Sequence, residues 1–247
     1  MKNYTFKKVD EKPTLDSPVW DDVEKATLDN DNFCGENAEK ITVTAQGVCT
    51  KYGITVKFEG DEKHPVTKYS HANQPAWTDS CVEFFLAPYP DEQGNYLNFE
   101  QSLGGALLLQ KGPNAADRTY IPHSDEFFET EKHIDENGWK IKFFIPFSFI
   151  DKHFVTMNKK FRGNFQFCCE DKDVYLTWNR IENPFPAFHK PEYFGEMTLD
   201  MSVLDRMTAE CIKYGDVVVI KLAPTGQLKN PVKEYFVKRK SARTAYR

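Results

Sequence analysis

Two tryptophans stand where strand-like sequence meets polar sequence: Trp77 in PAWTDSC, beside Pro75, Asp79 and Ser80, and Trp178 in YLTWNRI, beside Asn179 and Arg180. Both interrupt otherwise apolar patterns. An indole ring can cover the C–H face of a pyranose while nearby amide, carboxylate or guanidinium groups bond its hydroxyls, so two such rings can clamp one sugar. The competing reading is two partly buried tryptophans of a core. Glu83 and Glu100 add carboxyls to the same region of sequence. Glycoside hydrolysis needs two carboxyls set across a cleft, but a chain with 37 acidic residues offers many pairs, so these two alone prove nothing.

Other chemistry has less support. The six histidines lie far apart, without H-x-x-x-H or H-E-x-x-H spacing, so zinc and haem sites have no local signal. Carboxylates near turns, Glu59 and Asp61 with Glu62 in FEGDE, and Asp91 with Glu92 in PDEQGN, could hold a structural calcium through oxygen ligands. Solvated turn residues are the plainer reading. No G-x-S-x-G elbow, P-loop or G-x-G-x-x-G occurs, so catalysis lacks a positive signal, and no cofactor is required. The six cysteines show no C-x-x-C pair or disulfide framework and read as reduced, buried thiols.

The elements that must position these groups are strands. Of 247 residues, 20 are Phe and 11 Tyr, a weight that favours β-structure. Segments 41–48 and 54–60 form a predicted hairpin around CTKYG. Further strands are predicted at 81–88, 95–102, 105–110, 139–146, 163–170, 175–181 and 193–200, separated by Gly, Pro, Asn and Asp. The expected fold is all-β, an antiparallel β-sandwich of jelly-roll or immunoglobulin-like type. Alternation places Val82, Phe84 and Leu86 in the core with Glu83 facing away, and puts Trp139, Ile141, Phe143 and Ile145 on one face. SFIDKHF reads as a helical turn capped by Ser148. The long polar loops 88–95 and 111–126 are expected at a binding surface.

Charge divides the chain. Residues 202–247 hold ten basic and four acidic residues, so within a total of -5 residues 1–201 carry -11. The expected domains are a sandwich over 1–205 and a basic extension over 206–247, with one added strand near 216–224 and then a mobile tail. The net negative charge argues against nucleic acid. No apolar run has the length of a signal or membrane span, so as written the chain reads as cytoplasmic, or extracellular if a signal has been removed.

Three stretches, WTDSCVEFFLAP, GNYLNFEQSLGGALLLQKG and FRGNFQFCCEDKDVYLTWNRIENPFPAFHKPEYFGEMTLD, together resemble carbohydrate-binding module family 9-like domains from about Trp20 to Asp200. The resemblance implies a DOMON-like sandwich, calcium in some members, and a non-catalytic role in carbohydrate breakdown, with two tryptophans stacking on a terminal glucan or xylan sugar. On that likeness Trp77 and Trp178 are the clamp, Glu83 binds sugar hydroxyls, and Asn98, Glu100 and Asn179 offer further hydrogen bonds. Where the characterised binders place Arg and Asn on the next strand, Glu100 and Ser102 stand here, and Arg118 is the substitute for the arginine. The expected partner is a mono- or oligosaccharide, with neither nucleic acid nor membrane. Three other readings stay open: a glycoside-active enzyme using Glu83 and Glu100, a haem or redox sandwich with converging Met and His ligands, and a scaffold whose basic tail meets a protein.

Overall fold

An amphipathic strand near the N-terminus decides how the sheets join. The computed structural model describes residues 1–88, 94–154, 157–214, 217–224 and 233–238. β1 (Asn3–Lys8) buries Tyr4 and Phe6 and exposes the residues between them, the period-two pattern of a half-buried strand. It was not among the expected strands. Within Met1–Met201, one compact unit, it is followed by β2 (Ala26–Thr27), β3 (Val43–Thr50), β4 (Gly53–Gly60), β5 (Cys81–Ala87), β6 (Tyr96–Ser102) and β7 (Leu107–Gly112). Then come β8 (Thr119–Tyr120), β9 (Glu131–Asp135), β10 (Gly138–Pro146), β11 (Lys160–Cys169), β12 (Val174–Thr177) and β13 (Gly195–Leu199).

Hydrogen bonding runs β8-β7-β6-β5-β11-β13-β1-β3-β4-β10-β9, with β12 on β11 and β2 on β3. The sheet curls over at β1, whose Asn3–Phe6 pair with β13 and whose Lys7–Lys8 pair with β3. The result is the expected sandwich. The two joints at β1 are parallel, which corrects the all-antiparallel expectation: the strand enters between β13 and β3 instead of returning from a hairpin.

The core fills the space between the layers. Phe84 and Phe165 from one layer meet Phe58 and Phe143 from the other, with the Phe58 and Phe165 rings 5.9 Å apart edge to face. Trp139, Ile141, Phe143 and Ile145 all point inward, as their alternation predicts. Phe6 lies so close to Gly47 that a Cβ there would come within 2.4 Å of its ring. The helix α1 (Phe147–His153) starts from Pro146, with no side-chain cap; Ser148 falls inside the first turn.

The β5–β11 layer is also buried on its outer face. Phe33, Phe85, Tyr96, Leu108, Phe188 and Phe194 build a second apolar cluster there, closed by the segment after β12. That cover positions the candidate site.

Ser202–Arg247 form a separate unit: β14 (Met207–Tyr214), β15 (Val217–Pro224) and β16 (Lys233–Lys238) pair antiparallel in that order. Among the described residues β15 is the added strand expected near 216–224, with β14 and β16 on either side of it, and the terminal residues 239–247 lie outside the described residues, as do Asp91 and Glu92. Among the described residues, no helix is long and apolar enough to cross a membrane.

Candidate functional site

Strand register sets a row of side chains across the outer face of the β5–β11 layer. Gln166 on β11 pairs with Glu83 on β5, Glu83 pairs with Glu100 on β6, and Glu100 pairs with Leu108 on β7. Glu83, Glu100 and Leu108 line a cavity of about 530 Å³, a size typical of small-molecule sites. Trp77 stands at its edge, 38% exposed, on a short helical turn (Ala76–Thr78). The turn is tied down from behind. Ala76 is buried, Asp79 accepts hydrogen bonds from the Ser102 hydroxyl at 2.7 Å and the Tyr69 N–H at 3.0 Å, and the indole faces out.

Two loops supply the walls. In the first, the Asn114 side chain accepts from the N–H groups of Ala116 (2.8 Å) and Asp117 (3.0 Å), a local turn that directs Arg118 inward. Arg118 then lies 3.7 Å from Glu100 Oε1 and donates to His189 Nε2 at 2.6 Å. In the second, the segment 181–194 folds over the sheet, held by Arg162 Nε donating to the Phe194 carbonyl at 3.0 Å and by His189 stacking on Phe85 at 4.7 Å. Phe185 and Phe188 from this segment, with Tyr120 and Tyr175, give the cavity its other aromatic surfaces.

Electrostatics follow from burial. Glu83 and Glu100 are each 2% exposed. Burial, and then its neighbour Glu100, push Glu83 well above the usual carboxylate range. Burial raises Glu100 to about 7, opposed by the Arg118 charge and the hydrogen bond from Asn98. Burial and the same arginine lower His189 to about 3, so its ring is neutral. The guanidinium lies 2.6 Å from His189 Nε2 and 3.2 Å from Nδ1, and the Tyr96 hydroxyl lies 2.9 Å from Nδ1.

Among the described residues, one set of metal-ligating atoms comes together: Cys81, Glu83 and Cys168, all within 4.8 Å of one another. Burial pushes the Cys81 thiol up against the opposing effect of Cys168, contact with Cys81 and then burial push Cys168 up, and Cys168 donates to Glu83 Oε1 at 3.1 Å. No methionine lines the cavity among the described residues, so the Met–His convergence of the haem reading is not present in it.

Residues 15–199 match the sequence profile described as carbohydrate-binding family 9. The chain belongs to that family. No curated protein matches it. Among solved structures, a candidate carbohydrate-binding protein of Bacteroides uniformis superposes with a TM-score of 0.66 at 23% identity, covering 81% of this chain and 99% of that one. A family 9 module of Caldicellulosiruptor kristjanssonii in complex with glucose gives 0.55 at 14% identity, covering 81% and 97%; its cellotriose complex gives 0.54 at 14%, covering 80% and 93%. These likenesses extend over the sandwich fold.

Within this family 9 chain, the residues singled out in the sequence separate into two groups. Trp77, Glu83, Glu100 and Arg118 all line the cavity, with Arg118 3.7 Å from Glu100 Oε1. Trp178 does not. It is 4% exposed, packed against Tyr4 and Phe165, and so close to Gly195 that a Cβ there would lie 2.3 Å from the indole. β12 ends at Thr177, and the next side chain turns inward beneath β1. Asn179 is likewise structural: its side chain accepts from the Lys2 N–H at 2.8 Å and donates to the Tyr193 carbonyl, joining the N-terminus to the covering segment. Asn98 is buried off the cavity and braces Glu100 Oε1 at 2.8 Å.

The calcium candidates do not fit a cation. Lys57 and Lys25 sit 2.7 and 3.0 Å from the Glu59 carboxylate, and Asp61 Oδ1 accepts from the Thr42 N–H at 2.7 Å. Glu62 is buried and bonded by Ser80, Trp139 and Lys172. Those oxygens are already engaged by donors.

Gln110, Tyr120, Tyr175 and Phe185 line the cavity without having been singled out, and His189, read as a cap of backbone groups in PAFHKPEYFG, lines it too. Gln110 had a signal: it is polar within GALLLQ, facing the same way as Leu108. Phe185, on a loop, had none.

Proposed function

We propose that the chain binds a saccharide non-catalytically, with one sugar ring held against Trp77 over a floor of Glu83, Glu100 and Arg118, as an accessory to carbohydrate breakdown. The carrying observation is that one cavity joins an exposed indole to two buried carboxyls and a guanidinium. Aromatic area covers the apolar face of a sugar, and carboxyl and guanidinium groups match its hydroxyls as acceptors and donors. Family membership and the glucose and cellotriose complexes of a related module support the ligand class. The second aromatic surface comes from Tyr120, Tyr175 or Phe185 in place of a second tryptophan.

The carboxyl pair favours binding over hydrolysis. Directly opposed residues on adjacent strands have Cβ atoms about 4.5–5.5 Å apart and project the same way. Glu83 and Glu100 therefore approach a ligand from one side, whereas glycoside cleavage sets its two carboxyls on either side of the scissile bond. Isothermal titration with glucose, cellobiose and xylobiose, with Trp77→Ala as control, tests the reading. Heat of binding that the variant loses supports it; no heat from any sugar at millimolar concentration overturns it.

A further inference from the structure

The floor of the cavity suits a cation better than a neutral sugar. Three acidic residues, Glu83, Glu100 and Glu170, line the cavity with two cations, Arg118 and Lys190, the neutral His189 adds no charge, and burial holds Glu83 and Glu100 toward their protonated forms. The deficit is sharpest at the floor. Glu100 has Arg118 at 3.7 Å, but among the described residues Glu83 has no ammonium or guanidinium within 4.0 Å. Its oxygens receive only the Cys168 thiol at 3.1 Å and the Gln166 amide at 3.3 Å, a weak donor and a long one.

A carboxylate buried without a cation is costly, so Glu83 holds its proton well above the ordinary range. A ligand ammonium removes that cost of ionising, because it brings one positive charge and three donors to two carboxyls on directly opposed residues. A uronic acid does the reverse and would place another carboxylate among them.

Resting on the saccharide-binding reading, we infer that the preferred ligand is an amino sugar with a free ammonium group, a hexosamine or an oligomer of one, whose nitrogen sits between Glu83 and Glu100. Glu83 and Glu100 are then the specificity-determining residues. Trp77 contributes to binding of any sugar alike.

The test is a titration at neutral pH with glucose, galactose and mannose, their hexosamine and N-acetylhexosamine counterparts, and glucuronic acid. At least one hexosamine is expected to bind about tenfold more tightly than both its neutral parent and its N-acetyl form, with glucuronic acid weakest. The net charge of -5 could also attract cations without a site. The preference is therefore measured again in about 0.5 M NaCl, where exposed charges are screened within a few ångströms and buried ones are not. Glu83→Gln, which keeps the shape and removes a buried charge, should bring the hexosamine-to-neutral ratio close to one, and Glu100→Gln serves as the second variant. Equal binding of a hexosamine and its parent overturns the inference and leaves the saccharide reading standing. Loss of the preference in salt, or its survival in both variants, overturns it as well. Absence of binding by every sugar removes both.

Discussion

Glu83 and Glu100 stand directly opposite each other on neighbouring antiparallel strands, and both carboxyl groups end in one buried cavity. Burial makes both harder to ionise, and Glu100 makes Glu83 harder still.

Stability should therefore depend on pH in a definite direction. Folding raises Glu100 from 4.5 to about 7. The folded chain holds a proton that the unfolded chain releases, so the stabilisation is complete below the unfolded value and is lost as pH rises through the folded one. The Glu100 contribution, on the order of a few kcal/mol, should be lost between about pH 4.5 and 7, and Glu100→Gln should remove that part of the slope. A Glu100→Gln variant whose stability changes with pH over that window as the parent's does contradicts the assignment.

His189 should move the other way, at lower pH. Its folded value of about 3 lies below the ordinary 6.5. Its contribution is present above the unfolded value and lost as acid approaches the folded one. Nitrogen NMR of the imidazole should show a neutral ring throughout mildly acidic solution, and a ring that protonates near pH 6 contradicts the assignment.

Trp77→Ala should weaken saccharide binding by about 1–2 kcal/mol, roughly 5- to 30-fold, while changing thermal unfolding little. Its ring is part exposed and its supporting turn is held by Ala76 and Asp79. Calorimetric titration and a melting curve on the same sample separate the two effects.

Trp178→Ala should do the opposite. Removing a tryptophan seated against Tyr4, Phe165 and Gly195 should cost about 3–5 kcal/mol of stability. Denaturant unfolding measures that loss. Sugar affinity of whatever remains folded should stay near that of the parent chain.

The contrast between these two tryptophans shows what the sequence could disclose. Alternation in WTDSCVEFFL was enough to send Val82, Phe84 and Leu86 to the core and Glu83 to the opposite face, because side-chain direction along a strand is a local property. Trp178 has equally polar neighbours, yet what buries it is Tyr4, brought in by a strand at the far end of the chain. Only tertiary pairing reveals that contact. β9 was missed for a related reason: EKHID is an edge strand with mostly exposed charged residues and carries no apolar signal. Arg118 was found through the family likeness, but its aim depends on the Asn114 turn and on His189, two loop features without periodicity.

The parallel joint at β1 has a bearing on how the protein is made. β13 lies between β11 and β1, and β1 in turn holds the second layer through β3. A ribosome delivers Asn3–Lys8 first and Gly195–Leu199 nearly two hundred residues later, so the N-terminal strand waits through most of synthesis with one edge open. Its early neighbour β3 is available to hold it, but the indole of Trp178 has no finished seat until Gly195 arrives. Sandwich closure and completion of the cover over the candidate sugar cavity are then a single late event, and nascent chains stalled before β13 should be the ones that chaperones and proteases find.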